Sequence, residues 1–134
     1  GNGIQMLEGG CHCGAIRYIV SANFYDADYC HCNICRKISG APVSAFIIGK
    51  RDAFAHTKGM PSKYASSAHA QRDFCGACGS ALVFLSEYNE QHVEITIGSL
   101  DNPKIIEPSA HFWTSHRLPW FNTADELPRY AEHD

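Results

Sequence analysis

The chain has 134 residues, 45% of them apolar and 19% charged, and a formal net charge of −3 with its eight His counted neutral. That size and balance suit one globular domain able to bury roughly 65–70% of its unfolded surface, and argue against disorder. No Lys/Arg run exceeds two residues and no apolar stretch approaches the ~20 residues of a membrane helix, so neither a nucleic-acid footprint nor a membrane partner is expected.

In chain order, residues 1–8 read as a flexible N-terminal arm ahead of a single domain at residues 9–134. The opening, GNGIQMLEGG, has neither the basic n-region nor the apolar h-region of a secretory signal. GAIRYIV (Gly14–Val20) alternates around Ile16, Tyr18 and Val20, as a half-buried strand does. Next comes a short helix over Asn33–Ser39, with Asn33 as its cap and Gly40 as its stop. PVSAFIIG (Pro42–Gly49), ALVFLS (Ala81–Ser86) and HVEITIGSL (His92–Leu100) carry the β-branched and aromatic content of strands. Between them, KYASS and AQRDF predict a hairpin around Ala68-His69, and HFWTS (His111–Ser115) predicts a last strand. The tail from Pro119 to Asp134 is polar, with Pro119 and Pro128, and reads as loop with at most one helical turn. The expected class is mainly β.

Chemistry is concentrated in the cysteines. Their number, seven, is odd, and no secretory signal is seen. A disulfide framework is therefore disfavoured, and metal binding or catalysis in a reducing, cytoplasmic compartment is favoured. Cys75-Gly76-Ala77-Cys78-Gly79 has the form of a zinc knuckle: two thiols flank a tight turn whose amides face the sulfurs. A knuckle is half a tetrahedral site. Cys11 and Cys13 can complete it, because residues i and i+2 of an extended segment share a face while His12 points away. The result is a closed four-thiolate site, the structural type.

Cys30, Cys32 and Cys35 remain, within YCHCNICRK. Cys30 and Cys32 aim at one point, Cys35 returns from the first helical turn, and His31 is turned away. Three protein ligands with an open fourth position is the pattern of a catalytic zinc. Other readings stay open: unmetallated buried thiols, a second structural site closed by His69 or His111, or a redox pair within Cys30–Cys35. Two Zn2+ per chain is the favoured one.

These stretches carry a family resemblance. GGCHCGAIRY (Gly9–Tyr18), CHCNICRKISGAP (Cys30–Pro42), FCGACGSAL (Phe74–Leu82) and IGSLD (Ile97–Asp101) stand in the order and spacing of the glutathione-dependent formaldehyde-activating family, which includes the centromere-protein-V type. HFWTSHRLPW and ELPRY are similar to its C-terminal signature. The resemblance implies a small antiparallel β-tent fold, zinc-stapled, with one or two short helical turns. It implies structural zinc on Cys11, Cys13, Cys75 and Cys78, and catalytic zinc on Cys30, Cys32 and Cys35. It also implies a carbon–sulfur lyase activity that joins glutathione and formaldehyde into S-hydroxymethylglutathione, and the reverse.

A three-thiolate zinc suits a soft fourth ligand, and a thiol bound there loses its proton. Proton delivery to a hemithioacetal oxygen would then fall to His31, His111 or His116. Arg36 and Lys37, or Arg72 and Arg117, are the expected partners for the carboxylates of a glutathione-like thiol. Phe112, Trp113, Trp120 and Phe121 read as core or pocket wall. The expected partners are a small thiol such as glutathione and an aldehyde. The competing expectation is a zinc-stabilised binding module without turnover.

Overall fold

A strand whose residues alternate can bury one face and leave the other for chemistry. This protein does so in the computed structural model, which describes residues 5–133. Ten strands form two sheets. The smaller has three strands: β1 (Met6–Gly10), β2 (Arg17–Ser21) and β5 (Phe54–Lys58), in the order β1-β2-β5. The larger holds β3 (Asp26–Cys30), β4 (Ser44–Lys50), β6 (Ser62–Ser67), β7 (Ala70–Phe74), β8 (Ala81–Ser86), β9 (His92–Thr96) and β10 (His111–Phe112). Its order is β10-β3-β4-β9-β8-β7-β6. All pairs are antiparallel except β10 with β3, which run parallel. Among the described residues the one α-helix, α1, spans Asn33–Ser39.

The core lies between the sheets. Tyr18 and Val20 of β2 pack with Ala27, Ile47, Val83, Val93 and Ile95 from one face of the larger sheet. The IGSLD stretch closes one end of this core. The Tyr18 hydroxyl lies 2.6 Å from Ser99 Oγ, and the Arg17 guanidinium forks onto the Asp101 carboxylate. Gly9 is required there, since a Cβ would come within 2.6 Å of the Ser99 carbonyl oxygen.

The opposite face of the larger sheet is different. Register places Asp26, Ile48, Glu94, Phe84 and Arg72 in one row across β3, β4, β9, β8 and β7. Asp28 sits opposite Phe46, and Cys30 opposite Ser44. This face bears the functional site.

Several expectations need correction. Residues 6–8 are not part of a flexible arm: they lie in β1, paired with β2, and Leu7 packs on the core. Residues 1–4 lie outside the described residues. Asn33 is the first residue of α1, and the cap is Cys32, whose sulfur accepts from Cys35 N–H at 3.3 Å. The strand at His92 ends at Thr96, because Ile97–Ser99 winds into a 3-10 turn. HFWTS is strand only at His111–Phe112; Trp113, at φ 59°, turns the chain. The segment Cys11–Gly14 is a turn, not extended, with Gly14 N–H bonded to Cys11 O at 3.2 Å. β3 and β5 carry too many polar residues for their strand character to be read from alternating hydrophobicity.

Candidate functional site

Two turns build the four-cysteine cluster. Cys11 and Cys13 sit between β1 and β2, and Cys75 and Cys78 between β7 and β8. In each turn a glycine, Gly14 or Gly79, takes φ +81° and lets backbone amides face sulfur. Ile16 N–H donates to Cys11 Sγ at 3.2 Å, and Cys78 N–H to Cys75 Sγ at 3.4 Å. His12 points outward, as expected, while its N–H donates to Ser80 Oγ at 3.0 Å and ties the two turns together. Ser80 and backbone amides bring the Cys78 thiol down to about 5. Cys13 Sγ is 3.6 Å from Cys11 Sγ and 3.7 Å from Cys75 Sγ. Disulfide sulfurs lie at about 2.05 Å. The S–S edge of a tetrahedral thiolate zinc is about 3.8 Å, from a Zn–S bond of ~2.3 Å. The donor set therefore fits a closed tetrahedral metal site.

The three-cysteine cluster joins the end of β3 to the start of α1. Cys30 ends the strand, Cys32 caps the helix, and Cys35 returns from its first turn. The sulfurs of Cys30, Cys32 and Cys35 all lie within 4.8 Å of one another and could hold a metal ion. No fourth His, Cys, Asp or Glu joins them among the described residues. Hydrogen bonds from Cys30 and Cys35, then the Cys35 N–H and the nearby Arg72 charge, hold the Cys32 thiol far below its usual range. Contact with the Cys32 and Cys35 sulfurs pushes Cys30 up. Three adjacent thiols thus do not all ionise unaided, and a bound cation would allow it.

Arg72 gives part of that compensation. It is 9% exposed, with its two terminal nitrogens 3.4 and 3.5 Å from Cys35 Sγ. Its guanidinium lies 4.6 Å over the Phe84 ring, a cation–π arrangement that holds it in place.

The three cysteines open on a cavity of about 510 Å3. Its floor is the outward face of the larger sheet: Asp26, Asp28, Phe46, Ile48, Phe84 and Glu94. Phe112 and Trp113 add aromatic wall. Burial first, then Glu94 and Asp26, raises the Asp28 carboxyl to about 7. Burial, with Cys32 adding to it against the pull of Arg72, raises Glu94 to about 7 as well. Neither carboxyl forms a hydrogen bond or ion pair among the described residues.

The expected histidines lie elsewhere. His31 is 1% exposed, and its Nε2 meets His111 Nδ1 at 2.9 Å. The other nitrogen of His111 lies 3.1 Å from Asp125. His31 and His111 therefore form a buried row behind the three-cysteine loop, outside the cavity lining. His69 is at the β6–β7 turn with Glu87, and His116 is exposed near Trp113. Arg36 bonds Asn33 Oδ1 at 2.8 Å, and Lys37 is exposed on the helix; neither lines the cavity. Arg117 bonds the carbonyl of Phe121 at 2.6 Å in the tail. Of the four expected cations, only Arg72 reaches the cavity. Trp120 is 70% exposed, and Phe121 packs near the His31 ring.

Asp28 and Glu94 went unrecognised in the sequence. The signal for Asp28 is the run Asp26-Ala27-Asp28-Tyr29-Cys30, where alternate positions lead to a ligand cysteine. Glu94 interrupts an apolar strand, and only the register shows which face it shares.

A family model of the glutathione-dependent formaldehyde-activating enzymes matches residues 6–116, which hold both cysteine clusters. The chain belongs to this family. A Halomonas elongata protein, provisionally named a glutathione-dependent formaldehyde-activating enzyme, is 38% identical over 86 residues, 58% of this chain and 55% of that protein. An uncharacterized lyase of Schizosaccharomyces pombe is 35% identical over 77 residues, 58% of this chain and 56% of that one. The aligned region thus spans about half the length of these curated relatives. A Rhodobacter sphaeroides crystal structure shares the fold, with a TM-score of 0.59 at 20% identity, covering 92% of this chain and 100% of that one. No described helix is long and apolar enough to cross a membrane.

Proposed function

We propose that the chain is a zinc-dependent carbon–sulfur lyase, acting on the adduct of a small thiol and an aldehyde in the manner of S-(hydroxymethyl)glutathione synthase. One observation carries this reading: three convergent thiols form part of the wall of a cavity large enough for a small substrate. Cys11, Cys13, Cys75 and Cys78 hold a structural zinc that clips the β1–β2 turn to the β7–β8 turn. Cys30, Cys32 and Cys35 hold the catalytic one. The names of the curated relatives, a formaldehyde-activating enzyme and a lyase, support the reaction class.

When bound, the second zinc supplies a soft Lewis acid at which a substrate thiol gives up its proton. The chain's own residues do the rest. Arg72 offsets the thiolate charge from the side of Cys35. Phe46, Phe84, Phe112 and Trp113 shield the reacting carbon and sulfur from water. His31 serves from behind: its N–H donates to Phe112 O at 3.0 Å, and its ring leans on His111, which anchors the backbone between Cys30 and Cys32. A cavity beside three thiols that no fourth protein ligand joins among the described residues favours this reading over a binding module without turnover.

The test is NMR exchange spectroscopy of glutathione and formaldehyde with zinc-loaded protein. Accelerated interconversion of hemithioacetal and free thiol is expected, and Cys32→Ala should abolish it while one zinc stays bound. Unaltered exchange by a protein carrying two zinc ions would refute the lyase reading.

A further inference from the structure

The charges of the cavity do not match those expected of its substrate. A site built for the carboxylates of glutathione would present free arginines or lysines. Here the wall presents Asp26, Asp28 and Glu94 beside the imidazoles of His92 and His133, and its buried arginine is already committed. Both terminal nitrogens of Arg72 face Cys35 Sγ, and its Nε lies 3.3 Å from Ser66 Oγ. With three thiolates and one divalent ion, the adjoining metal centre adds a further net negative charge. Arg36 and Lys37 are turned away on α1.

Asp28 and Glu94 are moreover half-buried carboxyls without an ion pair among the described residues. Carboxyls held in such a wall against mutual repulsion gain most from a cation entering between them. Aromatic rings stand around the same space. Phe46 and Phe112 line it, beside Phe84 and Tyr25, whose rings already carry Arg72 and Lys50, and ring faces favour an ammonium over a carboxylate. The acidic row and the thiol cluster share β3, the aromatic wall comes from β4, β8 and β10, and all face one cavity.

We propose that this pocket recognises a primary ammonium group carried by the thiol substrate, with Asp28 and Glu94 as its counter-charges. The proposal rests on the lyase reading and specifies its thiol. Two kinds of thiol carry that group: a short aminothiol, and glutathione through its free amino end. In either case the carboxylates of the substrate stay toward the cavity mouth. Asp28 and Glu94 are specificity residues, and the bond chemistry belongs to the cysteine cluster.

The test uses full-length protein with cobalt in place of zinc, so that thiolate coordination is read from the visible spectrum. Cysteamine, 2-mercaptoethanol and 3-mercaptopropionate share one carbon–sulfur skeleton and differ in end-group charge. Glutathione and N-acetylglutathione distinguish the second source. All titrations are run at one pH, about 8, so that the thiols are compared under the same conditions. Cysteamine should bind at least about tenfold more tightly than 2-mercaptoethanol, with 3-mercaptopropionate weakest. Glu94→Gln should bring the three together, and Asp28→Asn gives the same readout should the first variant fold poorly. N-acetylation should weaken glutathione if its amino end is the group bound, and leave it unchanged if a short aminothiol is the substrate. Equal affinities, or tighter binding of 3-mercaptopropionate, would overturn the ammonium assignment and leave thiol coordination standing. No spectral response to any thiol would overturn both.

Discussion

Replacing Cys75 by serine removes one corner of the four-cysteine site and tests whether that site holds the fold together. Cys75 is 2% exposed, and its sulfur lies 3.7 Å from that of Cys13, 62 residues away in sequence. A metal that stays on the thiols of the unfolded chain closes that loop there and restricts it; by the chain-entropy relation for cross-links, a 62-residue loop is then worth about 4 kcal/mol, and a metal released on unfolding contributes its larger binding free energy instead. Domains of this kind are stable by about 5–15 kcal/mol in total. With an unfolding entropy of about 0.28 kcal/mol/K at this length, the loss corresponds to roughly 15 °C in Tm. Serine keeps the shape of the side chain but not a soft, readily ionised ligand. The assay pairs thermal unfolding by circular dichroism with zinc content by atomic absorption. Cys75→Ser is expected to carry one zinc and to melt far below the parent, or to be insoluble. A variant with full zinc content and an unchanged Tm would refute the structural assignment and the loop-closure argument together.

Two further outcomes follow from the same geometry. Mild chelation should remove one zinc per chain first, from Cys30, Cys32 and Cys35, with the circular dichroism spectrum unchanged; simultaneous loss of both ions with unfolding would show that the sites do not differ in role. Glu94 should also leave its mark on stability against pH. Its folded pKa is raised from the model-compound value of 4.5 to about 7, chiefly by burial, so the folded state holds the proton more tightly than the unfolded chain. That contribution is complete below about pH 4.5 and is lost as pH rises through about 7. Glu94→Gln should therefore flatten the part of the Tm–pH profile between those limits, whereas an unchanged slope would show that Glu94 is not a buried acid.

The two sites were legible in the sequence to different degrees. The cysteine partition could be read because a knuckle is a local object: Cys75-Gly76-Ala77-Cys78-Gly79 specifies its own turn, and Gly79 does take the positive φ the turn demands. Helix α1 was legible for the same reason, with Gly40 ending it at φ +68°. The cap was misplaced because the sulfur of Cys32 takes the role usually given to Asn, Ser or Asp. The pocket was hidden because it depends on register. Asp28, Glu94 and Arg72 lie on three strands, and nothing local to each says that β3, β4, β9, β8 and β7 align them. Two of the four predicted substrate cations, Arg36 and Lys37, are residues close to the cysteines in sequence. Proximity along a helix does not fix direction, and α1 turns both away from the cavity.

One sheet serves two purposes here because side chains alternate with a period of two. Along β3, Ala27 goes to the core, while Asp26, Asp28 and Cys30 go to the cavity. Along β9, Val93 and Ile95 go to the core and Glu94 to the cavity. A one-residue slip of either strand would bury a carboxyl among aliphatic side chains and expose the core residues that now exclude it. The register that packs the core therefore also fixes the chemistry of the pocket. The four-cysteine cluster brings the β1–β2 turn of the smaller sheet against the turn of the β7–β8 hairpin. Arg72 lies on β7, three residues before Cys75, so a metal clipping the first cluster would also bear on the guanidinium that reaches Cys35. With both clusters metallated as proposed, β7 would couple them, and a loss of order at the first would be felt at the second through the placement of Arg72.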